Sequence, residues 1–156
     1  MRKFFYLIEF ILIKLFFFIL IIIGYKNGSN LGNFIGRLFG PIFRSKKLIE
    51  NNLEQSGIVD KKNYNKIISK IYGNYGRILA EYPFLKAFRN NKLNKFIEID
   101  GLENLNKIKK EKRLAVFISG HFNNFELMAL QIEKAGIDLC AIYRPLSNIF
   151  LNVIMV

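Results

Sequence analysis

The chain has 156 residues, enough for one domain, and it combines 51% hydrophobic residues with a formal net charge of +12. Its single cysteine, Cys140, excludes an internal disulfide framework and fits a reducing compartment; apolar neighbours predict that this thiol is buried. Because the chain also has one histidine, it lacks the three or four ligands that a zinc site needs, and we expect neither a metal nor a cofactor.

The excess of Lys and Arg is typical of a protein with a basic face against nucleic acid or phospholipid headgroups. A solvated Lys-rich surface, produced in part by AT-rich codons, would explain the same composition. The basic residues are scattered, with no aromatic-interleaved groove, RNP-type motif or zinc finger. We therefore expect a membrane partner and no nucleic acid.

The first predicted element is a membrane helix. The window Phe4–Ile23 contains eighteen apolar residues, interrupted by Glu9 and Lys14, and at about 1.5 Å per residue it reaches roughly 30 Å. A helix lying in the membrane interface is the alternative. Because the apolar run leads straight into Gly24-Tyr25-Lys26 and no small-residue cleavage site follows it, we interpret residues 1–25 as an uncleaved anchor.

Residues 26–94 are predicted to form a helical, membrane-proximal region. Glycines recur every four residues from Gly24 to Gly40, and we expect a connector as far as Gly28 and then a packed or membrane-surface helix that Pro41 ends. A basic cluster suited to lipid headgroups follows this helix: Arg44, Lys46 and Lys47.

The next predicted helix begins with Asp60 as its N-cap and stops at Tyr82, because Pro83 follows. Gly73 and Gly76 lie inside this helix. Glycines at such positions indicate close packing against another element.

Residues 95–156 are predicted to form an incomplete α/β core. Alternating or continuous apolar runs predict strands, and the segments between them predict helices, one closed by Gly136 and a last one capped by Ser147. Strands that alternate with helices indicate βαβ units in a partial parallel or mixed sheet, so the predicted fold class is α/β. The predicted strands are 96–100, 114–119 and 139–143, and the predicted helices are 101–110 and 124–135.

The only histidine, His121, follows the strand predicted at 114–119, at the sheet edge where open α/β sheets bind ligands. Glu126 lies five residues later, and a turn between them would allow the two side chains to hydrogen-bond. A carboxylate on one imidazole nitrogen makes the other nitrogen a better general base. Alternatively, Asn123 and Glu126 form a capping box, or Asn124 caps the helix, and the histidine is incidental.

The stretch GHFNNFE, residues 120–126, resembles the GHFGNWE block of the lauroyl/myristoyl acyltransferase family of lipid A biosynthesis, whose members are lysophospholipid-acyltransferase-like enzymes. Asn123 replaces the usual Gly and Phe125 the usual Trp. Three further stretches are similar to family segments in the same order: 74–81, 99–105 and 143–148, the last containing Tyr-Arg-Pro and Asn148.

The resemblance implies an enzyme on the cytoplasmic side of the bacterial inner membrane. Its substrates would be an acyl thioester on acyl carrier protein and a phosphorylated glucosamine lipid. By this resemblance His121 deprotonates the acceptor hydroxyl and Glu126 orients the imidazole, while Arg144, Tyr143 and Asn124 contact substrate. A salt bridge closing the sheet edge is the alternative role for Arg144.

Members of that family are longer than this chain, which ends inside a predicted helix. We therefore expect a truncated core that lacks later strands and most of an acyl-chain pocket. An inactive remnant, or one half of a split acyltransferase, is accordingly the alternative to an active enzyme. Acyl length and the exact acceptor are left open by the sequence.

Overall fold

The computed structural model describes residues 2–120, 123–142 and 144–155, with side chains described as far as residue 152. Within these ranges the protein is built from helices. The α-helices are α1 (Arg2–Ile23), α2 (Tyr25–Phe43), α3 (Lys46–Ser56), α4 (Tyr64–Glu81), α5 (Leu85–Arg89), α6 (Leu102–Glu111), α7 (Glu126–Lys134) and α8 (Ile149–Met155). Short 3₁₀ turns occupy Lys61–Asn63, Tyr82–Phe84 and Asn94–Phe96.

Helix α1 confirms the predicted N-terminal apolar helix, and it is long and apolar enough to cross a membrane. One side of its second half packs into the protein, where Phe17 and Leu20 are buried. They share a hydrophobic core with Ala80 of α4, Phe84 of the 3₁₀ turn that follows α4, and Phe88 of α5. The rest of the helix surface exposes large apolar side chains, including Phe4, Phe5, Leu12, Leu15, Phe18 and Ile22.

Helices α2 and α4 run antiparallel and form the most extensive helix–helix contact in the described part of the chain. The contact depends on glycines: a Cβ atom added to Gly32 would lie 2.5 Å from the Cβ of Ala80, and one added to Gly76 would overlap the Gly32 carbonyl oxygen. Removing side chains lets two backbones approach closely. The close packing predicted for Gly73 and Gly76 is therefore confirmed.

Two predictions about α2 are wrong. The helix begins at Tyr25, so Gly24, with φ of 81°, is the single residue between α1 and α2. The predicted connector as far as Gly28 is therefore part of the helix. Pro41 lies inside α2, which continues to Phe43. Proline keeps a helical φ and removes one backbone hydrogen bond, a loss that the last turn of a helix tolerates.

Asp60 is not the side-chain cap that the sequence predicts. It precedes a 3₁₀ turn and its carboxylate lies 3.3 Å from the Lys62 ammonium, so the solvated ion pair competes with capping. At the other end, α4 stops at Glu81 and the chain passes into a 3₁₀ turn containing Pro83, as predicted.

The predicted partial sheet with βαβ units is wrong, because the described residues form no strand. The apolar run after α6 has no regular secondary structure and is exposed, with Leu114, Val116 and Ile118 exposed by 104%, 88% and 92%. Apolar patterning favours an extended backbone, whereas a strand also needs a neighbour for its N–H and C=O groups. Among the described residues these segments have no such neighbour, and for the same reason Cys140 is exposed instead of buried.

The ends of the last helices also differ from prediction. Neither Asn123 nor Asn124 caps α7 with its side chain: Asn123 has a positive φ of 52°, and the Asn124 side chain bonds elsewhere. Gly136 follows the end of α7 with φ of 79°, as predicted. Before α8, the Phe150 amide donates to Asn148 Oδ1 at 3.0 Å, so Asn148 takes the capping role predicted for Ser147.

Candidate active site

A buried carboxylate at the carboxyl end of α4 joins three distant parts of the chain. Glu81 accepts a hydrogen bond from the Ser29 hydroxyl of α2 at 2.7 Å and one from the Asn124 side-chain amide at 3.2 Å. All three side chains are buried. Since Asn124 lies in the short segment between His121 and α7, the Glu81 carboxylate sets where that segment meets the helical body.

Arg77 provides positive charge beside this carboxylate. It lies one turn before Glu81 on α4, and its guanidinium donates to the Ser29 hydroxyl at 3.2 Å and to Asn30 Oδ1 at 3.4 Å. A buried carboxylate is stable only when hydrogen bonds and nearby opposite charge replace its hydration. The Ser29 hydroxyl therefore bridges the two charged groups: it donates a hydrogen bond to Glu81 and accepts one from Arg77.

Tyr25 at the start of α2 faces the same network. Burial raises the pKa of its phenol, and the negative charge of Glu81 raises it further, while Arg77 acts in the opposite direction. Its ring also packs edge-on against Phe84 and Phe88, with ring centroids 5.6 Å and 5.1 Å away. The network is thus enclosed by aromatic side chains on one side.

Glu126, the predicted orienting carboxylate, is held by the residue after Glu81. The Tyr82 hydroxyl donates to Glu126 Oε1 at 3.3 Å. Burial, followed by the charge of Glu126, raises the pKa of Tyr82 to about 12, so the phenol stays protonated and remains a donor at neutral pH. Glu126 is the first residue of α7, where the helix dipole stabilises negative charge.

The structure thus brings two of the five predicted site residues, Asn124 and Glu126, to one place at the end of α4. Asn124 Oδ1 is buried and accepts no hydrogen bond from the described residues. Arg144 is exposed. His121 and Tyr143 lie outside the described residues.

A second polar contact links the segment before α8 to the N-terminal helix. The buried Asn148 amide donates to Glu9 Oε2 at 2.7 Å and to the Tyr6 carbonyl at 3.0 Å, and the rings of Phe10 and Phe150 lie 6.0 Å apart. The acidic side chain that interrupts the apolar helix therefore has a partner 139 residues away.

Sequence reasoning missed Ser29, Glu81 and Tyr82 as parts of the site. Arg77 and Glu81 stand four residues apart, hence on one face of a helix, within a segment that resembles the acyltransferase family. That spacing was the available signal for a charged pair. Nothing in the sequence pairs Ser29 with Glu81, because 52 residues separate them.

No group of three or more His, Cys, Asp or Glu side chains within the described ranges could hold a metal ion. The described functional groups at the end of α4 are two carboxylates, a phenol, a hydroxyl, amides and a guanidinium.

Comparison with known proteins assigns the chain to a family of acyltransferases. The family model for the bacterial lipid A biosynthesis acyltransferases matches residues 1–156. The chain belongs to this family, as the resemblance of its motifs predicts. Neither a curated protein nor a solved structure matches it.

Proposed function

We propose that the protein transfers a fatty acyl chain from a thioester on acyl carrier protein to a hydroxyl of a phosphorylated glucosamine lipid, a lipid A precursor. Family membership supports acyl transfer in lipid A biosynthesis. One observation carries the assignment to particular residues: Glu126 stands five residues after His121, in the first turn of α7, with one oxygen held by Tyr82.

In the proposed reaction His121 takes the proton of the acceptor hydroxyl. The resulting oxygen attacks the thioester carbonyl, the carbon–sulfur bond breaks, and the proton passes from the imidazole to the departing thiolate. Glu126 accepts a hydrogen bond from the other imidazole nitrogen and thereby sets its tautomer. Tyr82 donates to Oε1 of Glu126, and none of the described residues donates to Oε2, which is left for the imidazole.

The remaining predicted residues have proposed roles in binding. The Asn124 amide, bonded to Glu81, holds the segment after His121 and thereby positions that segment for the substrate. Arg144 is exposed and positively charged, which suits a phosphate of the acceptor lipid, and Tyr143 is adjacent to it. The proposed donor, acyl carrier protein, is acidic and would be attracted by the net charge of +12.

We place the protein on the cytoplasmic side of the inner membrane, with α1 lying along the interface. The contact of Asn148 with Glu9 supports the in-plane position. If α1 crossed the bilayer, the polar segment before α8 would be drawn toward hydrocarbon together with residues 6–10, at a cost of several kcal/mol for each unsatisfied backbone group.

A second candidate is that the chain is inactive by itself and needs a complementing polypeptide. The exposed apolar run that includes Leu114, Val116 and Ile118 favours it, because the run has the sequence pattern of a buried strand but no neighbours among the described residues. In this case the network at Glu81 preserves a site that becomes active only after the run is paired.

The two candidates are separated by assaying purified protein in phospholipid vesicles with acyl–acyl carrier protein and a phosphorylated glucosamine lipid. Mass spectrometry would follow formation of the acylated product. We expect turnover that His121→Ala and Glu126→Gln each reduce by about 10²-fold or more, the usual contribution of a general base. The control is Glu133→Gln, which changes an exposed carboxylate on the same helix.

Turnover that survives His121→Ala would refute the mechanism. No turnover by folded, vesicle-bound protein would refute the first candidate and support the second.

A further inference from the structure

An apolar groove of about 350 Å³ lies along the contact of α2 and α4, next to α1. All three helices contribute to its walls. The principal side chains are Phe16, Ile35, Phe39, Phe43, Tyr75 and Leu79.

The floor of the groove is formed by glycines and by the buried ring of Tyr72. Gly36 and Gly40 of α2 meet Gly76 and Tyr72 of α4, and a Cβ atom on Gly40 would lie 2.6 Å from the Tyr72 ring. Four of the wall side chains stay exposed: Phe43 by 86%, and Phe39, Tyr75 and Leu79 by about half. Exposed aromatic and aliphatic side chains around an apolar channel are stable only against another apolar surface.

One end of the groove carries a positive charge. Arg44 lines it, and its guanidinium lies 5.3 Å from the centroid of the Tyr75 ring. Within the described ranges no carboxylate is within ion-pair distance of Arg44, whereas the neighbouring Lys46 pairs with Glu50 at 3.5 Å. The Arg44 charge is therefore left for an anion from outside the chain.

The length of the groove corresponds to one leaflet of a bilayer. From Gly32 in α2 to Arg44, the residue that follows the helix, there are twelve residue steps, which span about 18 Å at 1.5 Å per residue. Half the hydrocarbon thickness of a membrane is about 15 Å. A lipid chain that extends from a phosphate at Arg44 would therefore reach the Gly32 end of the groove.

We propose that this groove binds one acyl chain of an anionic membrane phospholipid, with the lipid phosphate on Arg44. The inference rests on the membrane location given under the proposed function, but it does not depend on acyl transfer. Phe16 makes the groove continuous with α1, so a bilayer lipid reaches it without leaving the membrane. Its phosphate would lie at the opposite end of the α2–α4 pair from Asn124 and Glu126, which separates this lipid from the proposed reacting groups.

The test uses phosphatidylglycerol with a photoactivatable diazirine in one acyl chain, added to phosphatidylcholine vesicles that carry the full chain. After illumination, mass spectrometry of peptides locates the adducts. We expect adducts on residues 35–43 and 72–79 that unlabelled phosphatidylglycerol suppresses and phosphatidylcholine does not. Adducts confined to the exposed side of α1 would overturn the proposal.

Paired variants make the test specific. Ile35→Trp fills the groove, and Leu38→Trp makes a similar change at an exposed position on the same helix that does not line it. Arg44→Gln removes the proposed phosphate ligand, and Lys47→Gln removes an equal charge outside the groove.

Loss of a charge-assisted hydrogen bond, about 1.5–3 kcal/mol, predicts that Arg44→Gln lowers groove adducts about tenfold or more. We expect a comparable fall for Ile35→Trp and no fall for Leu38→Trp or Lys47→Gln. Adducts on the exposed side of α1, away from Phe16, should stay unchanged in every variant. Because Arg44 is exposed, its variant keeps the helical circular dichroism spectrum and tests the site even if Ile35→Trp unfolds the pair.

Equal adduct levels in Arg44→Gln and Lys47→Gln would overturn the proposal. Displacement of the labelled lipid by the phosphorylated glucosamine lipid, but not by unlabelled phosphatidylglycerol, would also overturn it, since the groove would then be a substrate site.

Discussion

Replacing Glu81 by alanine should destabilise the protein more than any change to an exposed carboxylate. The substitution leaves the Ser29 hydroxyl with Arg77 as its donor but with no acceptor, and leaves the Asn124 amide without its acceptor. Both groups are buried. Each buried polar group without a partner costs about 1–3 kcal/mol, so we expect a loss of about 2–6 kcal/mol from the free energy of unfolding.

Glu81→Gln should cost much less, at about 1 kcal/mol. The glutamine carbonyl can still accept from Ser29, and its NH₂ group can donate to Asn124 Oδ1 once the Asn124 amide rotates by half a turn. The rotation gives the buried Asn124 Oδ1 a donor and takes the acceptor from the Asn124 NH₂ group, so one buried hydrogen bond replaces another and their number is unchanged. The lost charge also leaves the Arg77 guanidinium without its nearby opposite charge.

Thermal unfolding in detergent micelles, followed by circular dichroism, measures both effects. For a chain of this length about 1 kcal/mol corresponds to roughly 2–4 °C, so Glu81→Ala should lower Tm by roughly 4–24 °C. The matched control is Glu133→Ala, which removes an ion pair with Arg89 whose side chains are 59% and 53% exposed and so costs about 1 kcal/mol or less. Equal Tm values for Glu81→Ala and Glu133→Ala would refute the buried network.

Three further predictions address helix packing, pH and the end of the chain. Gly76→Ala should destabilise the protein by about 1–3 kcal/mol, because the new methyl group meets the backbone of Gly32. Gly28→Ala should stabilise it by up to about 1 kcal/mol, because the nearest atoms to its methyl group are 3.5 Å away. Denaturant midpoints compare the two variants, and equal shifts would refute the close contact of α2 and α4. The Tyr82 pKa of about 12 lies above its ordinary value of 10.0, so the stability it contributes is complete below pH 10 and lost as pH rises to about 12. Glu126→Gln should lower the Tyr82 pKa toward 10.0 without reaching it, because the phenol is still buried. Phenolate absorbance measures this pKa once the spectrum of Tyr82→Phe has been subtracted. An unchanged pKa would argue against the contact of Tyr82 with Glu126. Asn148→Ala should accelerate amide exchange in α8 about tenfold, and unaltered exchange would mean that the contact with α1 contributes nothing.

Local pattern was sufficient for several features of the fold. The apolar composition of α1, the end of α4 before Pro83 and the glycine after α7 follow from residues that are close together in sequence. The glycines inside α4 correctly indicated a close neighbour. Composition could not identify that neighbour as α2, because helix pairing depends on which faces are left uncovered after all elements pack.

Strand prediction failed for a related physical reason. Apolar runs such as 114–119 describe what a segment prefers when it is covered on both faces and paired on both edges. The described residues supply neither cover nor partner, so the run forms no strand and is exposed. A pattern in one segment carries no information about whether its partners are present.

The amino-acid sequence by itself determined the apolar N-terminal helix, the His121–Glu126 spacing and the ordered motifs that identify an acyltransferase of lipid A biosynthesis, since each is a property of neighbouring residues. Only the tertiary structure decided that Glu81 meets Ser29 and Asn124 and that Tyr82 holds Glu126. These contacts join side chains 43 to 52 residues apart. A buried carboxylate forms hydrogen bonds with the polar groups that helix packing brings within about 3 Å of it. Which groups these are depends on the packing of the helices and cannot be read from the order of residues along the chain.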